Sequence, residues 1–147
     1  MEAQYIIVHT SAWPGDPSAD EIDQYHRSKG WKMIGYHYVI RKSGLVEPGR
    51  NEGMFGAHCR DMGMNRKSLG LVFSGHHDNE HWTDDQWTAM KRLFYSIHWR
   101  KGIPVDKVLG HRETGANKSC PGDKINMNKL RHVIGMYLKN STTAPIP

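Results

Sequence analysis

The chain has 147 residues, a formal net charge of +5 and two cysteines. A chain of this length can bury roughly two thirds of the surface that it exposes when unfolded, so one domain can be stable without disulfides. Hydrophobic residues make up 37% of the chain, and no apolar run approaches the roughly 20 residues of a membrane-spanning helix, so no membrane helix is expected.

The N-terminus does not resemble a secretory signal. Glu2 stands where a signal has basic residues, and the apolar stretch from Tyr5 to Val8 is too short. We therefore expect a protein made in the cytoplasm, in which Cys59 and Cys120 are thiols or metal ligands rather than a disulfide.

The positive charge either favours anionic partners, such as nucleic acid or a bacterial envelope, or serves only solubility. Lysines and arginines are scattered, with no basic block and no basic helix interleaved with aromatic residues. We expect no nucleic-acid partner and a monomeric protein.

The first predicted elements are a strand and a short helix. Tyr5–His9 is continuously apolar and rich in β-branched residues, which is typical of a strand covered on both faces. His9 is therefore expected where a buried strand emerges. Ser18 and Glu21 form a capping box, which predicts a helix that ends near Gly30.

Three further strands are predicted in the middle of the chain. Tyr36–Ile40 and Leu45–Glu47 are strand-like runs, and the polar residues between them, ending in Gly44, predict a hairpin. Leu69–Phe73 is another buried run. Tyr36 and His37 would point to opposite faces of a regular strand, so a bulge or an irregularity is needed if both line one site.

The C-terminal part predicts a long helix, a strand and a closing helix. Thr83 and Gln86 form a second capping box, and apolar residues at helical spacing continue to Gly102. Val108–His111 is a second apolar run that ends in a histidine. The closing helix is indicated by residues at helical spacing: Met127, Leu130, Ile134 and Leu138.

Strands and helices alternate, which favours an α/β fold with a mixed central sheet flanked by helices. We predict a single domain over residues 1–147, with an ordered core at about 3–140. The last residues, 141–147, have the composition of a linker and are predicted to be a flexible tail.

His9, His111 and Cys120 are candidate metal ligands. A catalytic zinc site takes three protein ligands and keeps a fourth position open, and two imidazoles with a thiolate satisfy that requirement. The three residues lack local ligand spacing such as HExxH. On the residues alone, satisfied core or surface histidines and a buried thiol are the favoured account.

Five segments carry a family resemblance along about residues 5–140. The segments are HTSA, GW with IGYHYVI, GLVEPGR, GAHCRDMGMNRKSLGLVFSG and GHRETGANKSCPGD. In this order they resemble type 2 N-acetylmuramoyl-L-alanine amidases, the family shared by phage lysozyme-type amidases and peptidoglycan recognition proteins. The resemblance implies one Zn²⁺ per chain, bound by His9, His111 and Cys120.

The resemblance also implies roles for four other residues. Tyr36 and Lys118 match positions that the phage branch of the family needs for hydrolysis, which implies an active enzyme. His37 and His58 match positions near the substrate. Glu113 either orients a ligand histidine through its second ring nitrogen or is simply exposed.

The implied function is hydrolysis of the amide between the lactyl group of N-acetylmuramic acid and L-alanine in peptidoglycan, as in a phage endolysin. Such an enzyme would wait in the cytoplasm of the host until lysis. A recycling amidase acting on soluble anhydro-muropeptides is an alternative, as is a non-catalytic recognition module, although Cys120 argues against the latter. A thiol amidase using Cys59 is a third alternative.

The histidine-rich run at residues 75–81 is predicted to be a solvated loop.

Overall fold

The computed structural model describes residues 1–141, so nearly all of the predicted tail lies outside the described residues. Five strands and three helices are found within that range. They are β1 Tyr5–Thr10, α1 Ala19–Ser28, β2 Tyr38–Ile40, β3 Val46–Pro48, β4 Ser68–Phe73, α2 Asp84–Lys101, β5 Val108–Gly110 and α3 Met127–Asn140.

The strands form one sheet in the order β3-β2-β4-β1-β5. The β1 strand is parallel to both of its neighbours, β4 and β5, and β2 is parallel to β4. Only β3 runs antiparallel, at one edge. The predicted fold class, a single α/β domain with a mixed sheet flanked by helices, is confirmed.

The two faces of the sheet pack against different groups of residues. Ile6 and Val8 belong to a large core that includes apolar residues of α2 and α3. Ile7 packs on the opposite face with Cys59 and Met64. Because side chains alternate along a strand, His9 lies on the Ile7 face, away from α2 and α3.

Both predicted capping boxes are confirmed. The Ser18 hydroxyl accepts from the Glu21 amide and the Glu21 carboxylate accepts from the Ser18 amide, and Thr83 and Gln86 form the same reciprocal pair. Gly102 ends α2 in the left-handed conformation with φ of 71°, which glycine adopts without strain.

The segment between β3 and β4 departs most from the predictions. It contains a 3-10 segment, Asp61–Arg66, that the sequence did not predict.

Tyr36 and His37 both precede β2 instead of lying in it, so the strict alternation of a strand does not apply to them.

Among residues 1–141, no helix has the length and apolar character needed to cross a membrane.

We expect Phe94→Ala to destabilise the fold by about 3–5 kcal/mol, because it leaves a cavity in the core. Phe94 is fully buried on α2, whereas Trp99 on the same helix is 51% exposed. Urea unfolding of both variants provides the measurement. A loss for Trp99→Ala as large as that for Phe94→Ala would contradict the assignment of the core face.

Candidate functional site

His9, His111 and Cys120 meet in one cluster. One ligand atom from each residue lies within 4.8 Å of the others, and Sγ of Cys120 is 3.5 Å from Nδ1 of His9. His9 lies near the end of β1 and His111 directly follows β5. These parallel strands are neighbours, so their carboxyl ends open at the same edge of the sheet.

The protonation states of the two imidazoles suit a divalent cation. Burial lowers the pKa of His9 well below its ordinary value, and the neighbouring His58, His111 and Lys118 lower it further. Burial likewise lowers the pKa of His111 and raises that of the Cys120 thiol to about 11. Neutral imidazoles are what a metal requires, and a bound cation would stabilise the buried thiolate. The donor set therefore fits zinc.

An open cleft of about 410 Å³ borders the three candidate ligands. A second cavity of about 620 Å³ continues from it and shares His58, His111 and Lys118. One wall of the first cavity is aromatic, with Tyr25 45% and Trp31 37% exposed. A long ligand can therefore reach the metal-binding cluster from two sides.

Tyr36 and Lys118 also line the first cavity. The ring of Tyr36 lies 5.1 Å from that of His9, edge to face. Burial is the largest cause of a strongly raised pKa for Tyr36, with Cys120 as the second, so Tyr36 is a neutral phenol. The exposed Lys118 lies close enough to Cys120 to oppose the effect of burial on the pKa of the thiol.

His37 and His58 occupy different environments. His37 is fully buried; its Nδ1 accepts from the Gly70 amide and its Nε2 lies 2.9 Å from the Met54 carbonyl. Both ring nitrogens are engaged by backbone, and His37 borders neither of the two cavities. His58 borders both cavities, and its Nδ1 lies 2.9 Å from Nε2 of His9.

Asp61, which sequence reasoning missed, is the carboxylate that meets His111. Its Oδ2 lies 3.2 Å from Nε2 of His111, which leaves Nδ1 of His111 for a metal. Glu113 instead binds Arg131 at 2.7 and 2.9 Å and caps the Gly110 amide. Of the two roles considered for Glu113, the structure therefore excludes orientation of His111 through its second ring nitrogen.

The segment carrying Cys120 is held by two side chains that the sequence did not single out. Arg112 donates to the carbonyl groups of Ser119, Gly122 and Ile125. The carboxylate of Asp78 accepts from the Ser119 hydroxyl and the Asp123 amide. These bonds limit where the thiol can lie.

The histidine-rich run at residues 75–81 is not simply a solvated loop. His77 is fully buried, and its Nδ1 lies 2.8 Å from the Thr10 hydroxyl. The prediction was wrong because the run packs between the end of β1 and the Cys120 segment, whose Lys124 amide donates to the His77 carbonyl.

Cys59 does not have the environment of a nucleophile. It is 2% exposed, its Sγ lies 3.5 Å from the Thr114 hydroxyl, and burial raises its pKa. Cys59, Asp61 and His111 also satisfy the distance requirement for a metal group. That group shares His111 with the first cluster, and its carboxylate is already bound to the His111 ring.

The fold of this chain is similar to solved structures of a peptidoglycan amidase and a peptidoglycan recognition protein. LysC, an N-acetylmuramoyl-L-alanine amidase from Clostridium intestinale URNW, superposes with a TM-score of 0.83 at 25% identity, covering 91% of this chain and 86% of LysC. A mutant of Drosophila PGRP-LB in complex with tracheal cytotoxin superposes with a TM-score of 0.76 at 29% identity, covering 84% and 77% of the two chains.

The chain belongs to the N-acetylmuramoyl-L-alanine amidase family, whose profile matches residues 1–123. It is 36% identical over 123 residues to the endolysin of Escherichia phage T7, covering 79% of this chain and 78% of the endolysin. The predicted family and its phage endolysin relation are confirmed.

Asp61→Ala is expected to weaken zinc binding roughly 10- to 100-fold, because a hydrogen bond to a ligand histidine orients its ring. Competition with a chromophoric chelator measures the affinity. Glu113→Ala removes a carboxylate that does not reach the His111 ring and is expected to change the affinity much less. Equal losses in the two variants would contradict the assigned role of Asp61.

Proposed function

We propose that this chain is a zinc-dependent amidase that cleaves the bond between the lactyl group of N-acetylmuramic acid and L-alanine in bacterial peptidoglycan. The observation that carries the proposal is the meeting of His9, His111 and Cys120 beside an open cleft in a chain of the amidase family. The proposed stoichiometry is one Zn²⁺ per chain.

Bound zinc would supply a Lewis acid for the scissile carbonyl and would lower the pKa of a water molecule to about 7. The chain supplies the surroundings that this chemistry needs. His9 and His111 are neutral donors, and Asp61 holds the His111 ring in one orientation.

Lys118 and Tyr36 are the proposed catalytic residues beside the metal ligands. Amide hydrolysis places negative charge on the former carbonyl oxygen, and the Lys118 ammonium at the mouth of the cleft stabilises that charge. The Tyr36 phenol is a hydrogen-bond donor whose proton stays in place at neutral pH, so it can orient a reacting oxygen or assist the leaving amine.

The cleft supports a substrate that extends on both sides of the scissile amide. A recognition protein of the same fold is seen with tracheal cytotoxin, which supports a peptidoglycan fragment as ligand here. His58 borders both cavities, so we propose that its ring edge contacts the substrate. The aromatic wall of Tyr25 and Trp31 offers apolar contact area beside the metal cluster.

We further propose that the enzyme is a phage endolysin that reaches the wall from the host cytoplasm during lysis. The phage relatives, with 79% to 82% of this chain aligned in the T7 and K11 endolysins, support this assignment. A recycling amidase would prefer soluble anhydro-muropeptides, whereas an endolysin cleaves the intact wall polymer.

Removal of zinc is expected to abolish cleavage, because in the proposed mechanism zinc activates the water and polarises the scissile carbonyl. Purified peptidoglycan is digested with untreated protein, with chelated protein and with chelated protein to which zinc is returned, and the products are identified by mass spectrometry. Free stem peptides should appear in the first and third digests only. Undiminished release after complete zinc removal would contradict the proposal, and loss of activity in Cys59→Ala alone would favour a thiol amidase.

Lys118→Ala is expected to lower kcat by about 10²- to 10³-fold, the usual effect of losing one donor to the oxyanion, while zinc content stays at one per chain. Tyr36→Phe is expected to lower kcat with the metal retained. The matched control is Lys124→Ala, because Lys124 is an exposed lysine of the same segment that lines neither cavity. Native turnover by Lys118→Ala would rule out the oxyanion role.

A further inference from the structure

A chain of hydrogen bonds leads from His9 into the protein interior. Nε2 of His9 lies 2.9 Å from Nδ1 of His58. Nε2 of His58 lies 3.4 Å from the Ser68 hydroxyl, and that hydroxyl donates to the Met64 carbonyl at 2.7 Å. Ser68 is fully buried, so bulk water does not replace either hydrogen-bond partner of its hydroxyl.

The Met64 carbonyl, at the end of this series of hydrogen bonds, sets the direction of every hydrogen bond in the series. A carbonyl only accepts, so the single proton of the Ser68 hydroxyl is used on Met64 and the hydroxyl must accept from His58. A neutral His58 ring carries one proton, and the bond to Ser68 places that proton on Nε2. Nδ1 of His58 is then an acceptor, which requires the His9 proton to be on Nε2.

This direction leaves the lone pair of His9 at Nδ1. That nitrogen is the one 3.5 Å from Sγ of Cys120, on the side of the metal cluster. The preferred tautomer of His9 is therefore the one that binds a metal without first moving a proton between its two nitrogens.

The fold reserves space for the His58 ring. A β-carbon at either Gly56 or Gly70 would overlap ring atoms of His58. The ring of His37 packs against it edge to face at 5.8 Å, and His37 is itself bound to backbone at both nitrogens. His58 is thus confined by backbone and by a ring that cannot turn freely.

We propose that His58 is a positioning residue which, together with Ser68, sets the tautomer and the orientation of His9 before any metal is bound. The inference rests on the proposed function only in taking His9 as a zinc ligand. This role explains why the half-buried His58 imidazole lies behind the ligand histidine His9. In zinc sites generally, a carboxylate or a carbonyl often occupies that position.

The tautomers can be read directly in the zinc-free protein. Long-range ¹H–¹⁵N correlation spectra of histidine-labelled protein distinguish protonated from unprotonated ring nitrogens. We expect His9 and His58 both to carry the proton on Nε2 in the wild type, and His9 to lose that preference in His58→Phe. A wild-type His9 protonated on Nδ1 would overturn the proposal.

Zinc affinity supplies the second readout. His58→Phe keeps a ring of similar size but no nitrogen, and we expect roughly 10- to 100-fold weaker zinc binding by chelator competition. Ser68→Ala, which keeps the His58 ring, is expected to weaken binding in the same direction by a smaller factor. If either folded variant bound zinc as tightly as the wild type, His58 and Ser68 would not act together on His9.

Ser74→Ala is the matched control for Ser68→Ala. Ser74 is also fully buried at an end of β4, and its hydroxyl donates to the Pro17 carbonyl at 2.6 Å. We expect it to cost stability without changing the His9 tautomer or zinc affinity. Both readouts are made without substrate, so a protein that passed them and failed to cleave peptidoglycan would contradict the proposed function alone.

Discussion

Parallel hydrogen bonding between β1 and β5 is the interaction on which the site depends. Val8 is paired with Gly110, so the next residues, His9 and His111, lie side by side, with their ring centroids 4.9 Å apart. A β-carbon at Gly110 would meet Pro121 and Met127, so the same strand end packs closely against the segment that carries the thiol. Three donors from distant parts of the chain therefore meet without a local metal-binding motif, and any change in this register would separate them.

Burial gives the donors their chemical character and also makes them costly to the fold. Neutral imidazoles and a thiol under a cleft are polar groups removed from much of the solvent, and each needs a partner. The partners are internal: His58 for His9, Asp61 for His111 and the Thr10 amide for Cys120. The same bonds that satisfy these groups also hold them close to one another, so one set of contacts serves both stability and the geometry of the candidate metal site.

The segment between β3 and β4 shows why lack of a strand does not mean lack of order. Asn65 accepts from the amides of both His58 and Cys59, and Arg50 donates to the carbonyls of Ile34 and Phe55. In this segment, side chains form the hydrogen bonds with backbone groups that neighbouring strands form within a sheet. The result is a rigid connection that carries His58 and Asp61 behind the two ligand histidines.

The sequence by itself determined the elements whose causes are local. Apolar runs predicted β1 and β4, reciprocal caps predicted the starts of α1 and α2, and family motifs indicated the three candidate metal ligands. Only the tertiary structure placed Asp61 beside His111, His58 beside His9 and Asp78 beside Ser119, and only the tertiary structure showed the burial of His77 and the engagement of His37 by backbone. Each of these depends on a partner that is distant along the chain, and hydrogen bonding between distant residues leaves no periodic or compositional signal. The pairing of the strands creates those neighbours, and the neighbours then decide what each polar side chain does.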